Sequence, residues 1–482
     1  MAYKHGIYGR EVPTSLVPMT QINAGLPVVF GTAPIHLATN PAKVNEPVLC
    51  YKYDEAVQSL GYSDNWADYT LCEFMYSQFA LFNMAPVVFV NVLDPAVHKT
   101  TVNDQTAEVQ EDKMVILPAT DAVLIPSLKV KSAEDDGELV KNTDYTAAYN
   151  IDGQLVITIL KEAVTAGSNI KLSFDKLNPA AVEHSDIIGG VDVSTGTYTG
   201  MENIAKVYPK FGLIPGLILA PGWSDDAGVV AVMSAKSTGI NSRFKALALA
   251  DINTKEVKKY TDVVAWKNKH NIVDPQLVAC YPMIGLSGQK YHFSTQLAGV
   301  ICATDAKNND IPYKSPSNES IKGDSTILED GTEMLLDVET GGYLNGQGVV
   351  TAINEGGWKA WGNRTSCYPG NTDVKDAFIP IRRMFCWVNN TLITTFWNKI
   401  DNPMNKRLIA TMVDSANIWL NGLTAKQFIL GGRVEFRDDE NTTTDLMDGI
   451  INFHVYITPP PPARDIEFVQ EYDVNYFKTL FE

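Results

Sequence analysis

Ten residues, Gly356 to Thr365 ("GGWKAWGNRT"), hold two tryptophans, one arginine and three glycines. Such a set suits two kinds of chemistry. Aromatic faces beside a guanidinium can line a ligand pocket. They can equally lock two parts of a chain together, because rings bury much area at small entropic cost and Arg ties several carbonyls or a carboxylate at once. The stretch alone leaves both readings open. Other motifs are weaker. The glycine-rich Gly341–Gly348 ("GGYLNGQG") lacks the Gly-Lys-Ser/Thr that grips phosphate and magnesium, so a backbone turn fits it better. "IGLSGQ" has the wrong spacing for a strained nucleophile elbow. The histidines are scattered, with no H-E-x-x-H. The acid pairs Asp135/Asp136 and Asp225/Asp226 fall in turn or helix-start contexts, where solvated charge is commoner than catalysis. The cysteines (Cys50, Cys72, Cys280, Cys302, Cys367 and Cys386) show neither C-x-x-C nor a histidine at finger spacing, the pattern of buried free thiols in a reducing compartment. These residues imply no catalytic set, no metal site and no cofactor, and they disfavour an enzyme.

Charge and the chain ends say more. A net charge of −17 argues against nucleic acid bound over a broad surface, and it favours solubility. Residues 375–433 run against that trend, with eight basic groups and only three acids, Asp376, Asp401 and Asp414. Amphipathic helices commonly wear Lys and Arg on the wet face. A basic strip also suits an acidic partner, where charge sets register and encounter. Both termini look extended and are aromatic, with Tyr3 and Tyr8 at one end and Phe468, Tyr472, Tyr476, Phe477 and Phe481 at the other. Strand-like arms that cannot fold alone often complete a sheet in another chain. The N-terminus shows no signal-peptide pattern. The most apolar window, Phe211–Trp223, is short and interrupted by Pro215 and Pro221. The expectation is a chain made in a cytoplasm, with no membrane-inserting segment.

The elements that must position these residues fall into blocks, and 482 residues suggest about three units. "PVVFGTAP" (27–34) and "VVFVNVL" (87–93) look like buried strands, with helices at 54–61 and 69–82 between them. Residues 101–190 hold fifteen acids against seven bases and alternate in "SLKVKS" and "QLVITIL", as a small inserted β-rich domain would. Strands then resume in "LILAPGW", "KALALADI" and "QLVACYP". They are separated by helices over 224–237, with Ser224 as N-cap, and over 254–270. Alternation of this kind implies a mostly parallel sheet covered on both faces. Amphipathic helices follow at 381–398 and 405–422, then two strand-like runs, "GGRVEFRD" and "GIINFHVYIT". "PPPP" (459–462) forms a stiff extended spacer before a strand-like tail.

Taken in order, "PVVFGTAP", "FNMAPVVFVNVLDP", "LILAPGW", "LAGVICATDAKNNDIPYKSPSN", "GQGVVTAINEGGWKAWGNRT" and "FIPIRRMF…WNKIDNPMNKRL…GLTAKQFILGG" resemble the tail sheath proteins of contractile phages and of R-type bacteriocins. The resemblance is weakest over 96–190. It implies an α/β core, subtilisin-like in fold and non-catalytic, formed by 21–95 and 191–355. An inserted β-rich outer domain spans 96–190, an α+β tube-facing domain 356–463, and extended arms 1–20 and 464–482. Trp358, Trp361, Gly362 and Arg364 would then be a structural joint, with Arg364 a hydrogen-bond fork. Arg382, Arg383, Lys406 and Arg407 would touch the inner tube. Ile7, Val12, Ile466, Phe468 and Tyr472 would pair into neighbouring subunits. The implied partners are further copies in hexameric rings, the inner tail tube protein, and baseplate and terminator proteins. The implied place is a phage tail or bacteriocin particle assembled in the host cytoplasm. A hydrolase on the same fold and a static surface-layer or capsid-like protein are the competing readings.

Overall fold

Runs of β-branched and small apolar residues become the buried strands of one sheet. The computed structural model describes residues 17–20, 22–132 and 137–481. Its main sheet has eight strands: β1 Pro27–Gly31, β2 Val48–Cys50, β3 Val87–Asn91, β4 Leu217–Leu219, β5 Leu247–Asp251, β6 Leu277–Cys280, β7 Val349–Asn354 and β8 Trp358–Trp361. Their spatial order is β2-β3-β1-β4-β5-β6-β7-β8. The inner six are parallel, and β2 and β8 close the edges antiparallel. Every residue of β1, β3, β4, β5 and β6 is buried, as a sheet covered on both faces requires. The chain winds one way from β1 and the other way after β4, so the order reverses between those two strands.

The principal helices are α1 Tyr53–Leu60, α2 Thr70–Met75, α3 Ala227–Thr238, α4 Val263–Lys269, α5 Phe293–Lys307, α6 Ile379–Phe396 and α7 Lys406–Ala425. α1 ends at Gly61, whose φ of 76° brings the backbone so close to Pro34 that a Cβ would lie 2.1 Å from its carbonyl oxygen. Three helices depart from their sequence signals. The 69–82 helix is α2 followed by a π turn, Tyr76–Leu81. It presses onto α5, where Gly299 leaves room for the Phe82 ring; a Cβ there would sit 2.3 Å from Phe82 Cδ2. α3 is capped by Asp226, which accepts from the Gly228 and Val229 amides, and not by Ser224. Ser224 is buried and its hydroxyl accepts from the Asp251 amide (3.0 Å). The 254–270 helix shrinks to α4 behind a 3-10 turn, because Asn253 Oδ1 draws in the Lys255 and Glu256 amides and holds that stretch in a turn.

Residues between β3 and β4 build separate small sheets. Lys99–Glu108, Asn169–Leu177, Lys129–Ser132 and Glu138–Leu139 form one; Met114–Leu117, Leu155–Ile159 and Tyr145–Tyr149 form another. Alternate residues Ile170, Leu172 and Phe174 point inward against Val115, Ile157 and Tyr145, forming a core of their own. Beyond β8, α6 and α7 pack with the hairpin Gly431–Glu435/His454–Thr458 around Met384, Trp387, Ala416, Leu420, Phe428 and Val434. The tail after Pro462 forms no strand among the described residues. It runs without regular structure to a 3-10 turn, Val474–Leu480. A strand needs a ladder partner, and among the described residues no strand of this chain pairs with it.

Candidate functional site

The aromatic stretch closes one edge of the main sheet. Trp358 to Trp361 pair with β7, Trp361 opposite Thr351 and Trp358 opposite Asn354. Both rings are half-buried against the main core. The outer side of β8 is occupied as well. The Ile321 amide donates to Trp358 O (3.1 Å), the Asn318 amide to Ala360 O (2.7 Å), and the Ala360 amide to Glu319 O (3.0 Å). With its amide turned to satisfy both partners, Asn345 donates to Val349 O and Trp361 O and accepts from Trp361 Nε1. Gly362, at φ 139°, lets the chain pass Val350; a Cβ would lie 3.0 Å from Val350 Cα. The next residues stitch the sheet to α6. The Ser366 amide donates to Leu277 O, the Thr365 amide to Ala377 O and the Ile379 amide to Asn363 O. Arg364 differs from the expected hydrogen-bond fork. Its guanidinium stacks over the rings of Phe378 (3.7 Å) and Tyr368 (4.3 Å) and finds no acceptor among the described residues.

The four arginine and lysine candidates separate into two pairs. Arg383 is a correction to the expected surface strip. It is 4% exposed, donates from Nη1 and Nη2 to both oxygens of Asp305 on α5, and donates from Nη2 to Ala24 O (3.2 Å). Arg382 is also largely withdrawn, donating to Gln276 and pairing with Asp376 (3.0 Å). Both side chains pin α6 to the main core, because the helix lies against the sheet with that face inward. Lys406 and Arg407 are exposed in the first turn of α7, with no carboxylate partner among the described residues. The α6–α7 connection beside them exposes Trp397, Ile400 and Met404.

The arm candidates are equally divided. Ile7 and Val12 lie outside the described residues. Ile466, Phe468 and Tyr472 are 69%, 87% and 76% exposed, and Val469, Leu480 and Phe481 are similarly bare. Among the described residues the two-stranded hairpin Gly431–Glu435/His454–Thr458 gains no third strand; Asn417 accepts from the Val434 amide (2.7 Å) and donates to its carbonyl (3.0 Å) on one edge, and the His454–Thr458 edge is open.

A polar cavity of about 180 Å³ opens at the carboxyl ends of the parallel strands, where ligands commonly bind in such sheets. Sequence reasoning missed it; an acid ending the apolar run "ALALAD" was the available signal. Asp251 at the end of β5 accepts from the Ser294 hydroxyl and amide at the start of α5. His292 Nδ1 donates to Glu73 (2.7 Å), whose other oxygen accepts the His292 amide. Burial pushes the imidazole down, but Glu73, with Asp251 and Glu329, outweighs it and raises its pKa to about 9. The histidine is therefore a cation held by an acid. The serine hydroxyl is committed to a carboxylate, which is structural bonding and not the serine-to-imidazole relay of a hydrolase.

No family model matches this sequence. Curated relatives do. The chain is 24% identical over 497 residues to a tail sheath protein of Burkholderia phage BcepMu, spanning 99% of this chain and 98% of that one. It is 24% identical over 305 residues to the tail sheath protein of Escherichia phage P2, spanning 61% and 72%. The chain resembles the BcepMu tail sheath protein from end to end. Its fold is shared with a chain of the PVC extracellular contractile injection system sheath complex in the contracted state (TM-score 0.56, 14% identity, 99% of each chain). It is shared too with a chain of the contracted anti-feeding prophage baseplate (TM-score 0.58, 14% identity, 98% of this chain and 99% of that one). The comparisons favour the sheath reading over a hydrolase or a static shell.

Proposed function

We propose that this chain is the sheath subunit of a contractile injection machine. Copies stack as hexameric rings around an inner tube in a metastable extended state, between a baseplate and a terminator. A baseplate signal releases the first ring, each ring rotates outward in turn, and the shortening sheath drives the tube through a target envelope. No nucleotide or cofactor is required, because the free energy is stored in the assembly. A bias of about 5 kcal/mol per subunit makes such a switch one-sided. Residues 21–95 with 191–355 serve as a subtilisin-like, non-catalytic core. Residues 96–190 form the outer domain, 356–463 the tube-facing domain, and 1–20 and 464–482 the arms. Lys406 and Arg407 are the tube-contact residues retained from the basic strip. The particle is a phage or bacteriocin tail assembled in the host cytoplasm.

One observation carries this reading: beyond a stiff proline spacer stands an arm of bare apolar side chains, beside a hairpin whose His454–Thr458 edge pairs with no further strand among the described residues. Two-stranded hairpins are marginal alone, and added strands supply about 1 kcal/mol per backbone hydrogen bond. End-to-end likeness to the tail sheath protein of phage BcepMu supports it. Electron microscopy of the purified full chain tests it. Tubular polymers with helical stacking are expected; flat sheets, closed shells or permanent monomers would overturn the reading.

A further inference from the structure

Beside the aromatic stretch lies a cleft of about 620 Å³ that reaches the root of the C-terminal arm. Two arginines line it, Arg364 and Arg464, and neither has an ion-pair partner among the described residues. Burial lowers the pKa of Arg364, and the charge of Arg464 pushes the same way. Two cations facing one space, one of them half-buried, are costly until an anion joins them. Ring stacking on Phe378 and Tyr368 offsets part of that cost and leaves the guanidinium's N–H groups free to donate. Asp465 also borders the cleft but pairs with neither arginine.

We propose that this cleft receives a carboxylate from the acidic C-terminal arm of a second copy of this chain, clamped between Arg364 and Arg464. Resting as it does on the arm reading above, it adds the residues that hold the arm. Charge favours this occupant. Residues 465–482 carry Asp465, Glu467, Glu471, Asp473 and Glu482 against Lys478 alone. Position favours it too. The strand His454–Thr458 runs through Pro459–Pro462 straight to the cleft, and four prolines span about 12 Å. An arm paired along that hairpin passes the clamp within a few residues. The arm is long enough, since eighteen extended residues reach about 60 Å. Each copy thus gives an arm from the site where it takes one, a head-to-tail contact that repeats without closing on itself. A planar guanidinium on a carboxylate adds geometric register to backbone pairing.

The test uses full-length chains. Arg464→Lys keeps the charge and supplies an amine for a zero-length carbodiimide link. In tubes assembled from equal parts of light and 15N-labelled R464K chains, links from position 464 to the acids of 465–482 are expected, about half of them joining a light to a heavy chain. Links confined to single chains, or none to that arm, would overturn the clamp. Arg464→Glu, a surface change that leaves folding intact, is expected to raise the critical concentration for polymerisation about tenfold at low salt, the loss of one charge-assisted bond. R464K should restore it. If R464E polymerises like the wild type while deletion of 464–482 abolishes polymers, the clamp fails and the arm reading stands. If the deletion also polymerises normally, the arm reading itself falls.

Discussion

Arg383 and Asp305 grip each other through two hydrogen bonds with both side chains almost wholly buried. Removing one partner strands a charge in the interior, at a cost of about 3–5 kcal/mol. Arg383→Met should lower the unfolding free energy by that amount in denaturant titration, and adding Asp305→Leu should recover most of it, because the lone charge is gone. His292 makes a second residue-scale prediction. Its pKa, raised from 6.5 to about 9, means that its stabilising contribution is complete below pH 6.5 and disappears as pH climbs through 9. That contribution is on the order of 3 kcal/mol. Urea midpoints of the wild type should fall across this window, whereas His292→Gln should flatten the fall; equal slopes would show that Glu73 does not hold the imidazolium. Neither pairing was legible from sequence. Arg382 and Arg383 are neighbours on one helix, and only the fold brings a carboxylate from 78 positions away to one of them.

At the scale of elements, α7 carries Lys406 and Arg407 in its first turn, with Asn405 capping the Leu408 amide. Cations at a helix N-terminus oppose the macrodipole, so replacing both with Glu should stabilise the isolated subunit by about 0.3–1 kcal/mol per site. The same change should impair tube-guided assembly. Opposite signs in a thermal melt and an assembly assay would separate an interface from a folding defect; unaltered assembly would remove these residues from the tube contact. The elements themselves were largely visible in sequence. β1, β3, β5 and β6 coincide with β-branched or small apolar runs, and α6 and α7 with 3.6-residue periodicity. The 69–82 and 254–270 helices depart from their periodicity, the first in its interior and the second at its start. A π turn against Gly299 and an Asn253 turn are settled by local packing and side-chain capture, which periodicity does not register.

At the scale of the molecule, the arm exposes Phe468, Val469, Tyr472 and Phe481 to solvent, an arrangement that a monomer gains nothing from. Deleting 464–482 should leave a folded, soluble subunit with an unchanged melting transition and abolish polymers in sedimentation and micrographs. Deleting 1–18 should act alike. Truncated chains that build tubes of normal length would contradict woven arms.

The sequence by itself determined the alternation of buried strands and helices, the separate acidic β-rich stretch and the stiff break before the tail. Each is written locally, in hydrophobic period, charge density and proline. Tertiary structure alone decided which basic residues stay outside, that Arg364 stacks on rings and faces Arg464, and that Glu73, His292, Asp251 and Ser294 meet at the strand ends. Those facts depend on contacts between residues far apart in the chain, and the spacing along a single strand or helix carries no record of them.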